Sequence, residues 1–181
     1  MKRILMIVGS LRKDSFNRQL ALQVKEMLKG KAEVSFMEYA DLPFMNQDIE
    51  FPAPPSVARV RREVQEADCM WIFSPEYNHA IPGVLKNALD WLSRPLRPDD
   101  PGKETAAKGK PVTITGVGGK SACAYARESL RGVLEFMSME VLGGTGTGFS
   151  LDAAAYLTGI LNLSEENRKT LMEQAELLLA E

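Results

Sequence analysis

Short runs of apolar residues alternate along the chain with segments whose apolar positions recur at helical spacing. Residues 4–8 and 69–73 are continuously apolar over the length of a strand, as expected for parallel strands covered on both faces. Weaker strand patterns occupy residues 34–39, 111–116 and 141–147, the last of them interrupted by glycines. The intervening segments predict helices, and the alternation predicts a doubly wound α/β fold with a parallel sheet.

Capping residues and prolines set the expected boundaries of these elements. Ser15, Ser56 and Ser164 are predicted N-caps, and Gly30 is a predicted stop after the first helix. The connection from residue 40 to 55 holds four prolines, which predicts a long irregular loop. Residues 95–102 hold three more prolines and several charges, which predicts an exposed excursion.

Composition narrows the class of protein. A chain of 181 residues with 45% hydrophobic residues can bury a core as one domain, which we expect to span residues 1–181. A formal charge of −2 gives no excess of basic residues that would indicate binding to nucleic acid, and no apolar run is long enough to cross a membrane. The N-terminus lacks the features of a signal peptide, and two cysteines are too few for a disulfide framework, so we expect a cytoplasmic protein. A single histidine excludes a multi-histidine metal site, and no metal is expected.

The loop after the first strand carries groups that suit a phosphate. It runs from residue 9 to 17 as GSLRKDSFN and leads into the first helix, whose N-terminal amides and dipole favour an anion by roughly 0.3 to 1 kcal/mol. Ser10, Ser15 and Asn17 can add hydrogen bonds, and Arg12 can add a charge-assisted pair. Only Gly9 is present where a dinucleotide fingerprint needs three glycines, so a monophosphate fits better.

Two further unusual loops follow the third and fourth strands. Residues 74–79 read SPEYNH, and residues 116–119 read GVGG. In the strand order 2-1-3-4-5, the loops after strands one, three and four open at the same carboxyl edge, where ligands bind in such sheets. This convergence predicts one site built from all three loops.

The segment PEYN followed by IPGVLKNALDW at residues 81–91, together with the first loop, resembles the NADPH-dependent FMN reductase family. This family includes quinone, azo-dye and chromate reductases, and the similarity covers most of residues 1–140. The resemblance implies a flavodoxin-like three-layer α/β/α sandwich with a five-stranded parallel sheet in the order 2-1-3-4-5. It also implies bound FMN, with NADPH or NADH as co-substrate.

The resemblance further assigns roles to individual residues, all of them in cofactor binding and none in catalysis. The phosphate is expected on Ser10, Arg12, Ser15, Phe16 and Asn17. The isoalloxazine ring is expected along Pro75, Glu76, Tyr77 and Asn78, with Gly116, Val117, Gly118 and Gly119 against the flavin. A flat apolar wall beside exposed backbone suits such a ring.

The implied reaction is hydride transfer from NAD(P)H to N5 of FMN, followed by electron transfer to a small acceptor. That acceptor would be a quinone, an azo compound, a metal oxyanion or free flavin, and a homodimer or homotetramer is expected from the family. The main alternative is a non-enzymatic flavodoxin-like electron carrier. A P-loop nucleotide-binding protein is less favoured, because Ile114 stands where the motif GxxxxGK[ST] needs its first glycine.

Several conspicuous residues receive structural interpretations. His79 is expected in a turn without a catalytic role, Cys123 as a buried small side chain, and Trp91 as a packing residue. The glycine-rich run at residues 143–148 misses the GxGxxG pattern, because Phe149 takes the place of its last glycine. The run and the apolar stretch at 151–163 depart from the family pattern, which leaves the last strand and the oligomer contacts open.

Overall fold

The sheet is parallel throughout and has helices on both faces, in a computed structural model that describes residues 1–100 and 104–180. The strands are β1 (Lys2–Val8), β2 (Ala32–Phe36), β3 (Cys69–Phe73), β4 (Pro111–Gly118), β5 (Glu140–Val141) and β6 (Thr147–Ser150). The helices are α1 (Phe16–Met27), α2 (Pro55–Glu66), α3 (Gly83–Leu92), α4 (Ala124–Phe136), α5 (Ala153–Thr158) and α6 (Glu165–Ala180). The order β2-β1-β3-β4-β5 confirms the flavodoxin-like prediction.

Alternation along the strands divides the core into two layers. Leu5 and Ile7 of β1 face the apolar sides of α2, α3 and α4, whereas Ile4, Met6 and Val8 face α1 and α6. Because both faces are covered, residues 4–8 of β1 and all of β3 read as unbroken apolar runs, which is the pattern that identified them. The three layers bring the loops after β1, β3 and β4 to one edge of the sheet.

The fifth strand position is filled by two short strands rather than by one. The predicted strand at 141–147 is therefore wrong in its extent: β5 pairs with the start of β4, and β6 pairs with its end. Between them Gly143, Gly144 and Gly146 take positive φ angles, which break the strand. Pairing with β6 also carries β4 through Gly118, two residues beyond the predicted end.

The glycine-rich run has a packing role. A Cβ on Gly146 would collide with the carbonyl of Ile114, and one on Gly148 would lie 2.7 Å from the Arg127 guanidinium. Arg127 in turn donates Nη1–H to the carbonyls of Thr145 and Gly146, at 3.0 and 2.9 Å. The run thus lets the backbone pass close to β4 and to α4.

The predicted caps are confirmed at two of three helices. Ser15 Oγ accepts the amide of Arg18, and Ser164 Oγ accepts that of Asn167. The Ser56 cap is wrong, because α2 begins at Pro55 and its N-cap position is Pro54, two residues before Ser56. Proline suits the first position of a helix, since its φ is preset and its missing N–H would have had no partner there.

The proline-rich connection from residue 40 to 55 contains only the short 3-10 helix Gln47–Ile49. It is nevertheless tied down, because Arg94 donates to both oxygens of the buried Glu50, at 2.9 and 3.0 Å. Trp91, a fully buried residue as predicted, donates its indole N–H to the carbonyl of Pro43. In the predicted excursion at 95–102, residues 97–99 are exposed, Pro95 is buried, and 101 and 102 lie outside the described residues.

Candidate functional site

The loop after β1 passes through a narrow gap at its first residue. The Gly9 amide donates to the carbonyl of Phe73 at 2.7 Å, which continues the sheet ladder. A Cβ on Gly9 would lie 3.1 Å from Leu85 and 3.2 Å from Pro75, so a side chain here would press on the neighbouring loop. The glycine therefore keeps the first loop against the loop that follows β3.

The N-terminus of α1 points into the same region. Ser15 has the extended backbone of an N-cap, so the first-turn amides of Phe16 and Asn17 have no acceptor within the helix. The exposed Arg12 guanidinium lies 5.8 Å from the centroid of the Phe16 ring, within the range of a cation–π contact. Amides, a hydroxyl at Ser10 and one cation are thus gathered where the sequence predicts a phosphate.

Asn17 joins two of the loops. Its Nδ2–H donates to the carbonyl of Val117 at 2.9 Å, and its Oδ1 accepts the Val117 amide at 3.1 Å. Asn17 is 2% exposed and Val117 is also 2% exposed, so both bonds are sheltered from water. The side chain acts as a clamp between the phosphate loop and the end of β4, and its backbone amide remains directed outward in the first turn.

The loop after β3 folds back in a tight turn. Tyr77 and Ala80 exchange backbone hydrogen bonds of 3.0 Å, and Asn78 and His79 between them have φ angles of 53° and 60°. Two positive φ angles at the centre identify a type I′ turn. Half-exposed Tyr77 lies with its hydroxyl 3.4 Å from Ser10 Oγ, which connects this loop to the phosphate loop.

Glu76 points toward the start of α4. Its carboxylate accepts the Ser121 hydroxyl at 2.8 Å and the amide of Ala126 at 3.1 Å. Desolvation would raise the pKa of Glu76, but the hydrogen bonds from Ser121 and from the amides of Ala126 and Tyr125 outweigh it, so the pKa falls below its ordinary value. Glu76 is therefore an ionised brace between the loops after β3 and β4.

The glycines at the end of β4 accommodate Cys123. A Cβ on Gly116 would lie 2.8 Å from Cys123 Cβ, and one on Gly118 would lie 2.7 Å from its Sγ. Cys123 is fully buried, and burial raises the pKa of its thiol to about 11, so the residue packs as a neutral thiol, as predicted. Gly116 is buried and does not line the cavity, whereas Gly118 and Gly119 reach its surface.

The three loops enclose one open cavity of about 450 Å³. Every predicted site residue except Gly116 lines it: Ser10, Arg12, Ser15, Phe16, Asn17, Pro75, Glu76, Tyr77, Asn78, Val117, Gly118 and Gly119. Four further residues line the cavity that were not predicted from the sequence as site residues, namely His79, Ser121, Leu151 and Tyr156. Tyr156 and Leu151 lie in the stretch whose structure the sequence left open, and a tyrosine within the mainly apolar AAAYLT was the available signal.

His79 stacks on a second aromatic ring at this edge. Its ring centroid lies 4.1 Å from that of Tyr125, with 19° between the planes. Both side chains are exposed, and His79 lines the cavity from the tip of its turn. Within residues 1–100 and 104–180, no cluster of three or more histidine, cysteine or acidic residues could hold a metal ion.

A flavodoxin-like sheet with a phosphate-type cradle and an aromatic-lined cavity at its switch point defines the class of the flavodoxin-like flavoproteins. Residues 2–152 match the model of the family described as NADPH-dependent FMN reductase. The chain therefore belongs to this family, and the prediction of an FMN- and NAD(P)H-dependent oxidoreductase is confirmed at that level.

Relatives and solved structures agree with this assignment. The chain is 34% identical over 170 residues to a 2-hydroxy-1,4-benzoquinone reductase of a Burkholderia species, covering 93% of this chain and 90% of the relative. It is also 34% identical to a quinone reductase of Pseudomonas putida, covering 92% and 83%. Among solved structures, a flavoenzyme NAD(P)H:(acceptor) oxidoreductase of Paracoccus denitrificans has a TM-score of 0.86 at 29% identity, covering 99% and 96%.

Proposed function

We propose that the three-loop cavity binds FMN and that the enzyme uses NAD(P)H to reduce a small quinone-type acceptor. The observation that carries this proposal is the convergence of the loops after β1, β3 and β4 on one cavity of about 450 Å³. That volume lies within the roughly 300–1,000 Å³ typical of cofactor sites. When bound, FMN supplies the redox chemistry by accepting a hydride and passing two electrons onward.

The residues present fit the phosphate end of FMN. The first-turn amides of α1 and the Ser10 hydroxyl supply neutral donors, and Arg12 supplies the positive charge. Ser15 holds the helix start in place, since its own oxygen is occupied by the Arg18 amide. A phosphate here would receive hydrogen bonds, one charge-assisted interaction and the field of the helix N-terminus together.

The opposite part of the cavity fits a flat ring. Pro75 and half-exposed Tyr77 offer apolar and aromatic surface, while the backbone around Asn78 and Gly118 is accessible from the cavity. Gly119 has only the Tyr156 hydroxyl near its missing Cβ, at 3.6 Å, so no side chain of its own blocks this side. Ring atoms that accept or donate hydrogen bonds could therefore reach main-chain groups.

Glu76 is not assigned a role as proton donor or acceptor in the reaction. Its lowered pKa and its occupied oxygens make this carboxylate a brace that is ionised at neutral pH. The overall reaction balances as NAD(P)H plus a quinone plus one proton giving NAD(P)⁺ and a hydroquinone, and the open cavity admits that proton from solvent.

A neutral ring acceptor is favoured over a metal oxyanion. Among the residues that line the cavity, Arg12 is the side chain with a permanent positive charge, and the phosphate would engage it. The named quinone reductases among the relatives point to the same acceptor class.

A homodimer is also part of the proposal. Phe136 at the end of α4 is 91% exposed and borders a mainly apolar groove between α3 and α4 that also contains Val133 and Met137. A second copy of the chain could cover this surface in an isologous contact, and pairing of two such dimers would give a homotetramer. Sedimentation equilibrium measures the assembly, and a monomer at micromolar concentration would contradict this part.

A cytoplasmic setting is supported by the cysteines. Cys69 and Cys123 are both buried thiols, which suits a reducing compartment. No helix in the described ranges is long and apolar enough to span a bilayer. Cell fractionation followed by immunodetection tests this assignment.

The central test is the visible spectrum of the purified protein, followed by anaerobic addition of NADPH or NADH and then of a quinone. We expect a flavin spectrum that bleaches with NAD(P)H and recovers with quinone; a flavin spectrum that NAD(P)H does not bleach would instead support the electron carrier. Arg12→Ala should weaken FMN binding roughly 10- to 100-fold, from the loss of a charge-assisted hydrogen bond. Lys13→Ala is the matched control, because Lys13 is exposed on the same loop outside the cavity. Equal FMN affinity in both variants would contradict the phosphate assignment.

A further inference from the structure

One wall of the cavity comes from the segment that follows β6. Leu151 and Tyr156 line the cavity together with the three loops, although the family match ends at residue 152. Tyr156 thus lies beyond the part of the chain that defines the family.

This wall is fixed at both ends. The Leu151 amide donates to the carbonyl of Gly118 at 2.7 Å, and Asp152 caps α5 by accepting the Ala155 amide at 2.7 Å. At the other end, Gln19 of α1 donates to the carbonyl of Gly159 at 2.8 Å. Because α5 is held between these anchors, Tyr156 occupies a defined place at the cavity rather than a mobile tail.

Tyr156 is placed to meet a ligand that enters the cavity. Its side chain is 61% exposed, and its hydroxyl oxygen lies over Gly119, 3.6 Å from the position that a Cβ would take. A partly exposed aromatic ring at the rim can stack on a planar guest, and it also limits the width available to that guest. Neighbouring Leu157 is 88% exposed and does not line the cavity.

We propose that Tyr156 is a specificity-determining residue that favours single-ring acceptors and disfavours larger fused-ring ones. This inference rests on the proposed function, since it concerns the acceptor of the same cavity. The aromatic wall stabilises a small planar quinone by ring contact, while a fused-ring quinone must displace the wall that Asp152 and Gln19 hold in place.

The experiment compares 1,4-benzoquinone with 1,4-naphthoquinone as acceptors for Tyr156→Ala, Tyr156→Phe and the control Leu157→Ala. We expect Tyr156→Ala to raise the naphthoquinone-to-benzoquinone ratio of kcat/KM at least fivefold, through opposite changes in the two KM values. Tyr156→Phe, which keeps the ring, and Leu157→Ala should both stay within twofold of the original ratio. Tyr156→Trp should lower the ratio.

Two separate measurements distinguish failure of this inference from failure of the proposed function. FMN affinity and the rate of flavin bleaching by NADPH are measured for Tyr156→Ala and the unmodified protein, and the acceptor ratio is compared with both proteins saturated with FMN. An unchanged acceptor ratio, or a tenfold loss of FMN affinity without a change in the ratio, would overturn the role of Tyr156 alone. An unmodified protein that holds no FMN would instead overturn the proposed function, and the inference with it.

Discussion

Asn17→Ala tests whether Asn17 is primarily a clamp between loops or a ligand of the phosphate. The substitution removes both hydrogen bonds between the Asn17 side chain and the backbone of Val117. It leaves the first-turn amide of residue 17, and the neighbouring Arg12, in place for the phosphate. A clamp and a ligand therefore predict different results for the protein without cofactor.

The magnitude follows from the two bonds and their burial. A typical hydrogen bond contributes about 0.5–1.5 kcal/mol net, so the pair contributes roughly 1–3 kcal/mol to the free energy of unfolding. The upper half of that range is expected here, because Val117 is 2% exposed and its amide and carbonyl would lose their partners where water has little access. For a chain of this size, 2 kcal/mol corresponds to a fall of roughly 4–8 °C in Tm.

The assay is thermal and urea unfolding of the cofactor-free protein, followed by circular dichroism, for Asn17→Ala beside Arg12→Ala. Arg12 is exposed, so its variant should unfold within about 0.5 kcal/mol of the unmodified protein. If the Asn17→Ala apoprotein melts within 1 °C of the unmodified apoprotein while its FMN affinity collapses, the clamp is refuted and Asn17 acts on the ligand.

Two further predictions concern Glu76 and the glycine-rich run at residues 143–148. Glu76→Gln should lower the free energy of unfolding at neutral pH, because the pKa of Glu76 is depressed in the fold. The difference in unfolding free energy from the unmodified protein should fade as pH falls below the ordinary pKa of 4.5. Parallel profiles of unfolding free energy from pH 3 to 8 would exclude this role. Gly146→Ala should lower the free energy of unfolding by well over about 1 kcal/mol more than the control Gly144→Ala. Both glycines have φ near 60°, but only a Cβ on Gly146 meets the Ile114 carbonyl. Equal unfolding free energies for the two variants would contradict this close approach.

The sequence predicted the central sheet because its signals were local and unambiguous. β3 begins and ends where the apolar run does, and Ser15 and Ser164 cap the helices that follow them. The start of α2 was predicted wrongly because this stretch suits both a serine N-cap and a proline at the first helical position. The choice between them depends on the backbone conformation at residue 54, which precedes the helix.

Local sequence patterns could not predict the division of the fifth strand or the cavity wall that Leu151 and Tyr156 form. β5 and β6 are two and four residues long, and each exists because β4 offers a free edge. Gly116 resembled the neighbouring glycines in sequence, yet it is buried in β4 and does not line the cavity. Tyr156 is placed at the cavity by hydrogen bonds of its neighbours, Leu151 to Gly118 and Gly159 to Gln19 of α1, which no short window contains.

The hydrogen bonds between α1 and the segment at the end of α5 have a consequence for folding during synthesis. Gln19 donates to the carbonyl of Gly159, a partner 140 residues later, and Gln23 donates to that of Leu161. On the ribosome, the phosphate cradle is therefore synthesised about 140 residues before the wall that completes the cavity. Cofactor loading before that wall has been synthesised would meet a half-open cleft, so stable assembly of the holoprotein follows the synthesis of this segment.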